Sequence, residues 1–333
     1  MRCNMGKKKL QGADGINFQL QLTIKGLEQA SFDRKPLKNQ SGEEYAWIEC
    51  LGGKVSAYVN LPSAIRPNNV QPFQLSDCIH LDMISQTVVE YVREYLKDNL
   101  QEHYSENILK LLTVSKMECN LTIKCIGKCK PKDVIRLFEK SFTKTTAYKE
   151  VGPDGKTYKK PETGITTSKA HEWVLKVYDK THDQRRLGNL KVEPNLVRVE
   201  LVFLERMLDR MFANKKSLED ILTRKAIKTL IEQYQATFED ICEKNIKPML
   251  DSCVQEVFES FTYSTPRKEI SETLIRCKEC VVDTEVLRRA LKKWYAHKHM
   301  ADNSKQVVAF YRDRNVGFPE DVLRTLKLMH NSL

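Results

Sequence analysis

Residues 172–180 read Glu-Trp-Val-Leu-Lys-Val-Tyr-Asp-Lys, and their alternation decides the fold class. Side chains on a strand point to opposite faces in turn, so Trp173, Leu175 and Val177 go one way and Lys176, Tyr178 and Lys180 the other. Tyr178 then stands on a polar, cationic face. A phenol, with a pKa of about 10, is a poor nucleophile at neutral pH; adjacent ammonium groups and a metal ion favour its phenolate, which suits attack on a phosphodiester. Tyr-x-Lys on a strand is equally the pattern of an exposed surface pair, so two further strands carry the argument.

Residues 196–203 place Val197, Val199, Leu201 and Phe203 on one face and Arg198 and Glu200 on the other. Residues 112–125 alternate in the same way: Met117, Cys119, Leu121 and Ile123 share an apolar side, and Lys116, Glu118, Asn120 and Thr122 the polar one. Three strands thus offer Tyr178, Lys180, Arg198, Glu200 and Glu118 to the polar faces of a sheet. Further strands are predicted over 16–24, 45–49 and 54–60, the last two around Gly52-Gly53. Helical spacing begins near Asp77 and runs to about Asn99, and Pro131 opens another helix with Val134, Leu137, Phe138 and Phe142 inward. Residues 62–69 and 181–194 are read as connections, and the glycine-, proline- and lysine-rich 149–169 as a turn or hairpin able to clamp a DNA backbone.

After residue 204 the pattern is helical: Met207, Leu208, Met211 and Phe212 form one stripe, and Ser217 with Asp220 forms a loose capping box. The expected fold is therefore α+β, a mostly antiparallel sheet covered by helices on one face and followed by an all-helical C-terminal region. The boundaries are 1–215 and 216–333. Within the second part, a helix capped by Asp283 and carrying Val286, Ala290, Leu291 and Trp294, and another started by Asn303 or Ser304 and ended by Gly317 and Pro319, form a candidate helix-turn-helix spanning 284–318.

The chain has 333 residues, 55 Lys and Arg against 44 Asp and Glu, a formal charge of +11, and 41% hydrophobic residues. A sequence pI near 9.0 favours a polyanionic partner. Ten cysteines without a secretory or membrane-spanning apolar run point to a reducing, cytoplasmic setting and no membrane. Cys277, Cys280, His297 and His299 have zinc-ligand chemistry, but their spacing on a helical pattern speaks for ordinary buried thiols.

Several stretches resemble the filamentous-phage gene II replication initiators and their phage and plasmid relatives. Val114-Ser-Lys-Met-Glu118 is similar to their Ser-Arg-Ile-Asp strand, 173–180 to the strand of their Tyr-x-Lys nicking motif, and Leu196-Val-Arg-Val-Glu200 to their Leu-Val-Arg-Phe-Glu stretch. Trp294 and Phe310-Tyr-Arg-Asp-Arg with Gly317 resemble their C-terminal aromatic and arginine-rich segment. The resemblance implies a tyrosine nickase that starts rolling-circle replication, stays joined to the 5′-phosphate and leaves a 3′-hydroxyl primer. It implies Tyr178 as nucleophile with Lys180 and Arg198 as cationic helpers, and Glu118 and Glu200 as ligands of Mg²⁺ or Mn²⁺. Lys176, Lys305, Tyr311, Arg312 and Arg314 would meet DNA, origin single strand or supercoiled duplex, and host helicase and polymerase would follow.

Two departures stand out. Glu118 replaces the usual Asp, and no His-hydrophobic-His triplet is present, His80 and His171 being isolated. A non-cleaving repressor or origin-recognition protein on the same fold, and a protein-binding regulator using the C-terminal helices, are the other readings.

Overall fold

A computed structural model describes residues 11–21, 31–52, 54–99, 113–151, 156–167, 172–213, 215–260, 267–279, 282–296 and 320–332. In chain order the strands are β1 (Gln11–Gln21), β2 (Phe32–Lys38), β3 (Glu44–Leu51), β4 (Lys54–Asn60), β5 (Thr113–Lys124), β6 (Thr145–Val151), β7 (Thr157–Thr167), β8 (Trp173–Asp179) and β9 (Leu196–Leu204). They form one sheet in the order β2-β3-β4-β1-β5-β9-β8-β7-β6, with every neighbouring pair antiparallel. The helices are α1 (Leu61–Ile65), α2 (Leu81–Asn99), α3 (Pro131–Ser141), α4 (Lys180–Arg186), α5 (Glu205–Phe212), α6 (Leu218–Ile221), α7 (Arg224–Ile241), α8 (Lys247–Ser260), α9 (Arg267–Glu279), α10 (Thr284–Ala296) and α11 (Glu320–Asn331). The fold is α+β, as the alternation and helical spacing predict.

The central strands carry the core because their apolar rows line up. Val197, Val199, Leu201 and Phe203 are all fully buried and lie beside Leu175 and Val177 of β8 and Met117, Cys119 and Leu121 of β5. Onto this face pack Ile84, Val88, Val92 and Tyr95 of α2, Val134, Leu137 and Phe138 of α3, and Ile227, Leu230, Tyr234 and Phe238 of α7. In α2 and α7 each is spaced three or four residues from the next, and in α3 Val134 lies three and four residues before Leu137 and Phe138, so each helix presents a single apolar stripe. The Tyr234 hydroxyl, wholly buried, donates to the Val199 carbonyl at 3.0 Å, which offsets the cost of burying a phenol. The core therefore runs across residue 215, since α7 lies on the sheet; a smaller cluster of Val254, Phe258, Ile270, Leu287 and Ala290 joins α8, α9 and α10.

Several elements differ from the sequence-based expectation. β2, Phe-Asp-Arg-Lys-Pro-Leu-Lys, has no apolar alternation; it is an edge strand, where Pro36 and charged side chains are tolerated because one side of the ladder is unpaired. The Tyr95 hydroxyl, donating to the Asp33 carbonyl at 3.2 Å, pins it from α2. Residues 149–169, by contrast, agree with the hairpin reading, since they contribute to β6 and β7, which pair antiparallel. Residues 61–65 are helical because Asn60 caps Ser63 N at 3.0 Å with Pro62 in the first turn. Finally α11 returns to the sheet: Asp321 accepts from Lys128 N at 2.8 Å and Thr325 from Ile126 N at 3.1 Å, while Val322, Leu326 and Met329 enter the main core. The i, i+4, i+7 spacing of those three after Pro319 is a helical signal that the sequence reading passed over.

Candidate active site

Antiparallel partners share a sheet face, so register shows which distant residues meet. On the face away from α2, α3 and α7, Thr122, Arg198, Tyr178 and Gly164 form one row across β5, β9, β8 and β7. Asn120, Glu200, Lys176 and Thr166 form the next. Glu118 lies one step further along β5, opposite Val202. The alternation of three separate segments is thus converted into one cluster.

The cluster's centre is Lys176. Its Nζ lies 2.5 Å from Glu200 Oε1 and 3.2 Å from Glu118 Oε1. The other oxygen of Glu200, Oε2, accepts the Tyr178 hydroxyl at 3.1 Å. Burial alone would depress the Lys176 ammonium, but Glu200 and then Glu118 hold it above the usual lysine value. Burial pushes Glu200 upward in turn, and Lys176, Arg198 and Lys180 bring it below the usual glutamate value. Both therefore stay charged at neutral pH. An ionised Glu200 is an acceptor only, which fixes the Tyr178 hydroxyl as the donor.

Lys180 departs from the predicted strand alternation. β8 stops at Asp179, whose carboxylate accepts from His182 N at 2.8 Å and starts α4, so Lys180 opens a helix rather than continuing the polar face. Its Nζ sits 5.7 Å from the centre of the Tyr178 ring, bonded to Asn69 Oδ1 at 2.8 Å and Asp183 Oδ2 at 3.1 Å. Arg198 is fully buried: its Nε donates to Thr122 Oγ1 at 2.7 Å, and its Nη2 to the carbonyls of Asn69 and Val70 at 2.7 and 2.8 Å. Both cations hold down one loop.

In sequence that loop has the pattern of a plain connection, yet Asn69 is a hub, accepting from Lys180, from Gln184 Nε2 at 2.9 Å and, through its backbone, from Arg198. Tyr148 was missed as well. Its ring stacks on Tyr178 at 5.8 Å and 27°, lying over Gly164, where a Cβ would come within 2.7 Å of it. The register of β7 against β6 jumps between Ala147 and Tyr148, while on the other side of β7 Gly164 pairs with Tyr178. Strap and ring leave Tyr178 8% and Glu200 3% exposed, so the polar face expected to be open is covered at this end. Neither feature has a local sequence signature, since each depends on which strand lies next to β8.

No family model matches the chain, and no curated protein matches it. Among solved structures, the rolling circle replication initiator protein from Geobacillus stearothermophilus is similar at TM-score 0.30 and 8% identity, over 71% of this chain and 85% of that one. A likeness of that size carries no argument about activity.

The residues do not fit a divalent cation as they stand. The two carboxylates proposed as ligands already share one ammonium, and no group of three or more His, Cys, Asp or Glu side chains suited to a metal occurs among the described residues. The adjacent orphan has the wrong polarity too. Asn120 is wholly buried, and its Oδ1 accepts from Thr122, so its unpartnered atom is the Nδ2 donor, which suits an oxygen rather than a cation. Lys305, Tyr311, Arg312 and Arg314 lie outside the described residues, as do His171, Cys280, His297 and His299 and the side chain of Cys277. Of the candidate helix-turn-helix, only α10 is described. Among the described residues no helix is long and apolar enough to cross a membrane.

Proposed function

We propose that this protein is a replication initiator that nicks one strand of origin DNA through Tyr178 and leaves a 3′-hydroxyl for rolling-circle synthesis. The observation that carries this reading is the convergence of Tyr178, Glu200, Lys176 and Glu118, from three strands far apart in sequence, in one hydrogen-bonded group. In the proposed step the Tyr178 oxygen bonds to phosphorus and the P–O3′ bond breaks. The phenolic proton passes to Glu200 and ends on the departing 3′-oxygen, so atoms and charge balance. A positive charge beside the phosphate stabilises the charge developing in transfer, and bonding through a phosphotyrosine keeps the chain competent for rejoining. Mg²⁺ or Mn²⁺ is a cofactor of this reading only if Lys176 yields its place between Glu118 and Glu200.

The formal charge of +11 supports DNA as the partner. Helicase and polymerase of a host cell, a cytoplasmic location and duplex contacts from Lys305, Tyr311, Arg312 and Arg314 belong to the same proposal, as does a division of labour between 1–215 for nicking and 216–333 for DNA reading.

The test is incubation with supercoiled and single-stranded origin DNA, followed by denaturing gels for a covalent adduct. Wild type is expected to give nicked circles and adduct, and Tyr178→Phe neither. Adduct persisting in Tyr178→Phe sinks the assignment. One observation favours a second reading, a DNA-binding regulator that does not cleave: Tyr178 is buried beneath the Tyr148 ring, with the Lys180 ammonium over its own ring. Retarded mobility of origin DNA without any adduct would establish that reading instead.

A further inference from the structure

We infer that Lys176 is the electrophile of this site, its ammonium standing between Glu118 and Glu200 and supplying one positive charge in place of a divalent ion. The inference rests on the nicking reading for its chemical consequence, strand cleavage without added metal, but its placement rests on geometry alone.

Three observations carry it. First, Lys176 is the cation of the cluster that remains reachable, with its side chain 29% exposed, whereas Lys180 is 1% exposed and Arg198 fully buried. Those two are engaged by the Asn69 strap, so neither is free to approach a phosphate without giving up that loop. Second, one ammonium reaches both carboxylates at 2.5 and 3.2 Å. A buried carboxylate, Glu200, and a half-buried one, Glu118, on neighbouring strands repel each other unless a cation lies between them, and here the chain supplies it. Third, the orphan donor on Asn120, in the same row as Lys176 and Glu200, adds a polarity that favours an oxyanion and opposes a metal ion.

In the reaction, Lys176 would donate an N–H to a non-bridging oxygen of the scissile phosphate while keeping its contact with Glu200. Glu200 would stay aligned for the Tyr178 proton. A lysine has three N–H donors, so both carboxylates and one phosphate oxygen can be served at once.

The test uses the full chain in two arms. In the first, electron paramagnetic resonance measures free Mn²⁺ with wild type and with Lys176→Gln. The wild type is expected to leave Mn²⁺ free, and the variant, which opens a two-carboxylate site, to remove it from solution. Mn²⁺ bound by the wild type, or left free by a folded Lys176→Gln, overturns the inference. Should the variant fail to fold by circular dichroism, the wild-type result decides: Mn²⁺ left free supports the inference, Mn²⁺ bound overturns it. In the second arm, adduct formation on a single-stranded origin oligonucleotide is compared in EDTA and in Mn²⁺. Adduct in EDTA supports the inference, with Lys176→Gln about a hundredfold slower there, the usual loss for one transition-state donor. Adduct only in Mn²⁺ overturns it. No adduct with any DNA in either buffer overturns the nicking reading itself, and the Mn²⁺ arm then decides the placement of Lys176 on its own.

Discussion

Replacing Lys176 by methionine keeps the length of the side chain and removes its charge, which isolates the ion pair from the packing. In the wild type the ammonium lies 2.5 Å from Glu200, whose side chain is 4% exposed, and 3.2 Å from Glu118, 14% exposed. The variant leaves Glu200 buried with only the Tyr178 hydroxyl and the more distant Arg198 and Lys180 to offset its charge. Stranding one member of a buried pair costs about 3–5 kcal/mol, and the partial exposure of Lys176 selects the lower figure, ~3 kcal/mol. At ~2 °C per kcal/mol for a chain of this size, the unfolding midpoint should fall by roughly 6 °C in a thermal melt. Glu118→Gln combined with Lys176→Met should cost less than the two single changes together, with a coupling of about 0.5–3 kcal/mol.

The pH dependence gives an independent sign. Glu200 is held below its ordinary value, so its contribution is fully present above the usual glutamate range and is lost as pH falls from that range down through its lowered folded value. Lys176 is held above its ordinary value, so its contribution is full below the usual lysine range and is lost as pH rises past it. The gap between wild type and Lys176→Met should therefore be widest across neutral pH and narrow at both ends. A variant within ~0.5 kcal/mol of wild type at neutral pH, or strict additivity with Glu118→Gln, would refute the reasoning.

Other expectations follow from the same geometry. Asn69→Ala removes the acceptor of Lys180 and Gln184, leaving a wholly buried ammonium short of one partner; it should cost about 1–3 kcal/mol, and hydrogen exchange at 66–72 should quicken. Unchanged exchange there would show that the strap is held without it. Gly164→Ala drives a Cβ into the Tyr148 ring, so near-ultraviolet circular dichroism should change as the Tyr148–Tyr178 stack opens, at a cost of about 1–3 kcal/mol. Gly127→Ala meets the Asp321 carboxylate at 2.6 Å at a φ of +57°; weaker docking of α11 should appear as faster proteolysis near residue 320, and an unaltered cleavage pattern would contradict it. Tyr234→Phe leaves the fold intact but removes the hydrogen bond to Val199, which denaturant unfolding should register as about 1 kcal/mol.

By itself the sequence determined which face of each central strand is polar. Strand side chains alternate with a period of two whatever lies beside them, so Tyr178, Lys176, Arg198, Glu200 and Glu118 were legible as open-face residues, and Val197 to Phe203 as core. Tertiary structure alone decided what those residues touch. That β8 and β5 flank β9 puts Lys176 between two carboxylates, that Asp179 caps a helix takes Lys180 off the strand, that Asn69 and Val70 fold back over Arg198 buries its guanidinium, and that the Tyr148 ring stacks on Tyr178 covers the tyrosine. The physical reason is range. Alternation and capping are settled within a few neighbouring residues, whereas pairing order and loop closure are settled by contacts between residues scores of positions apart, and no local pattern encodes the partner.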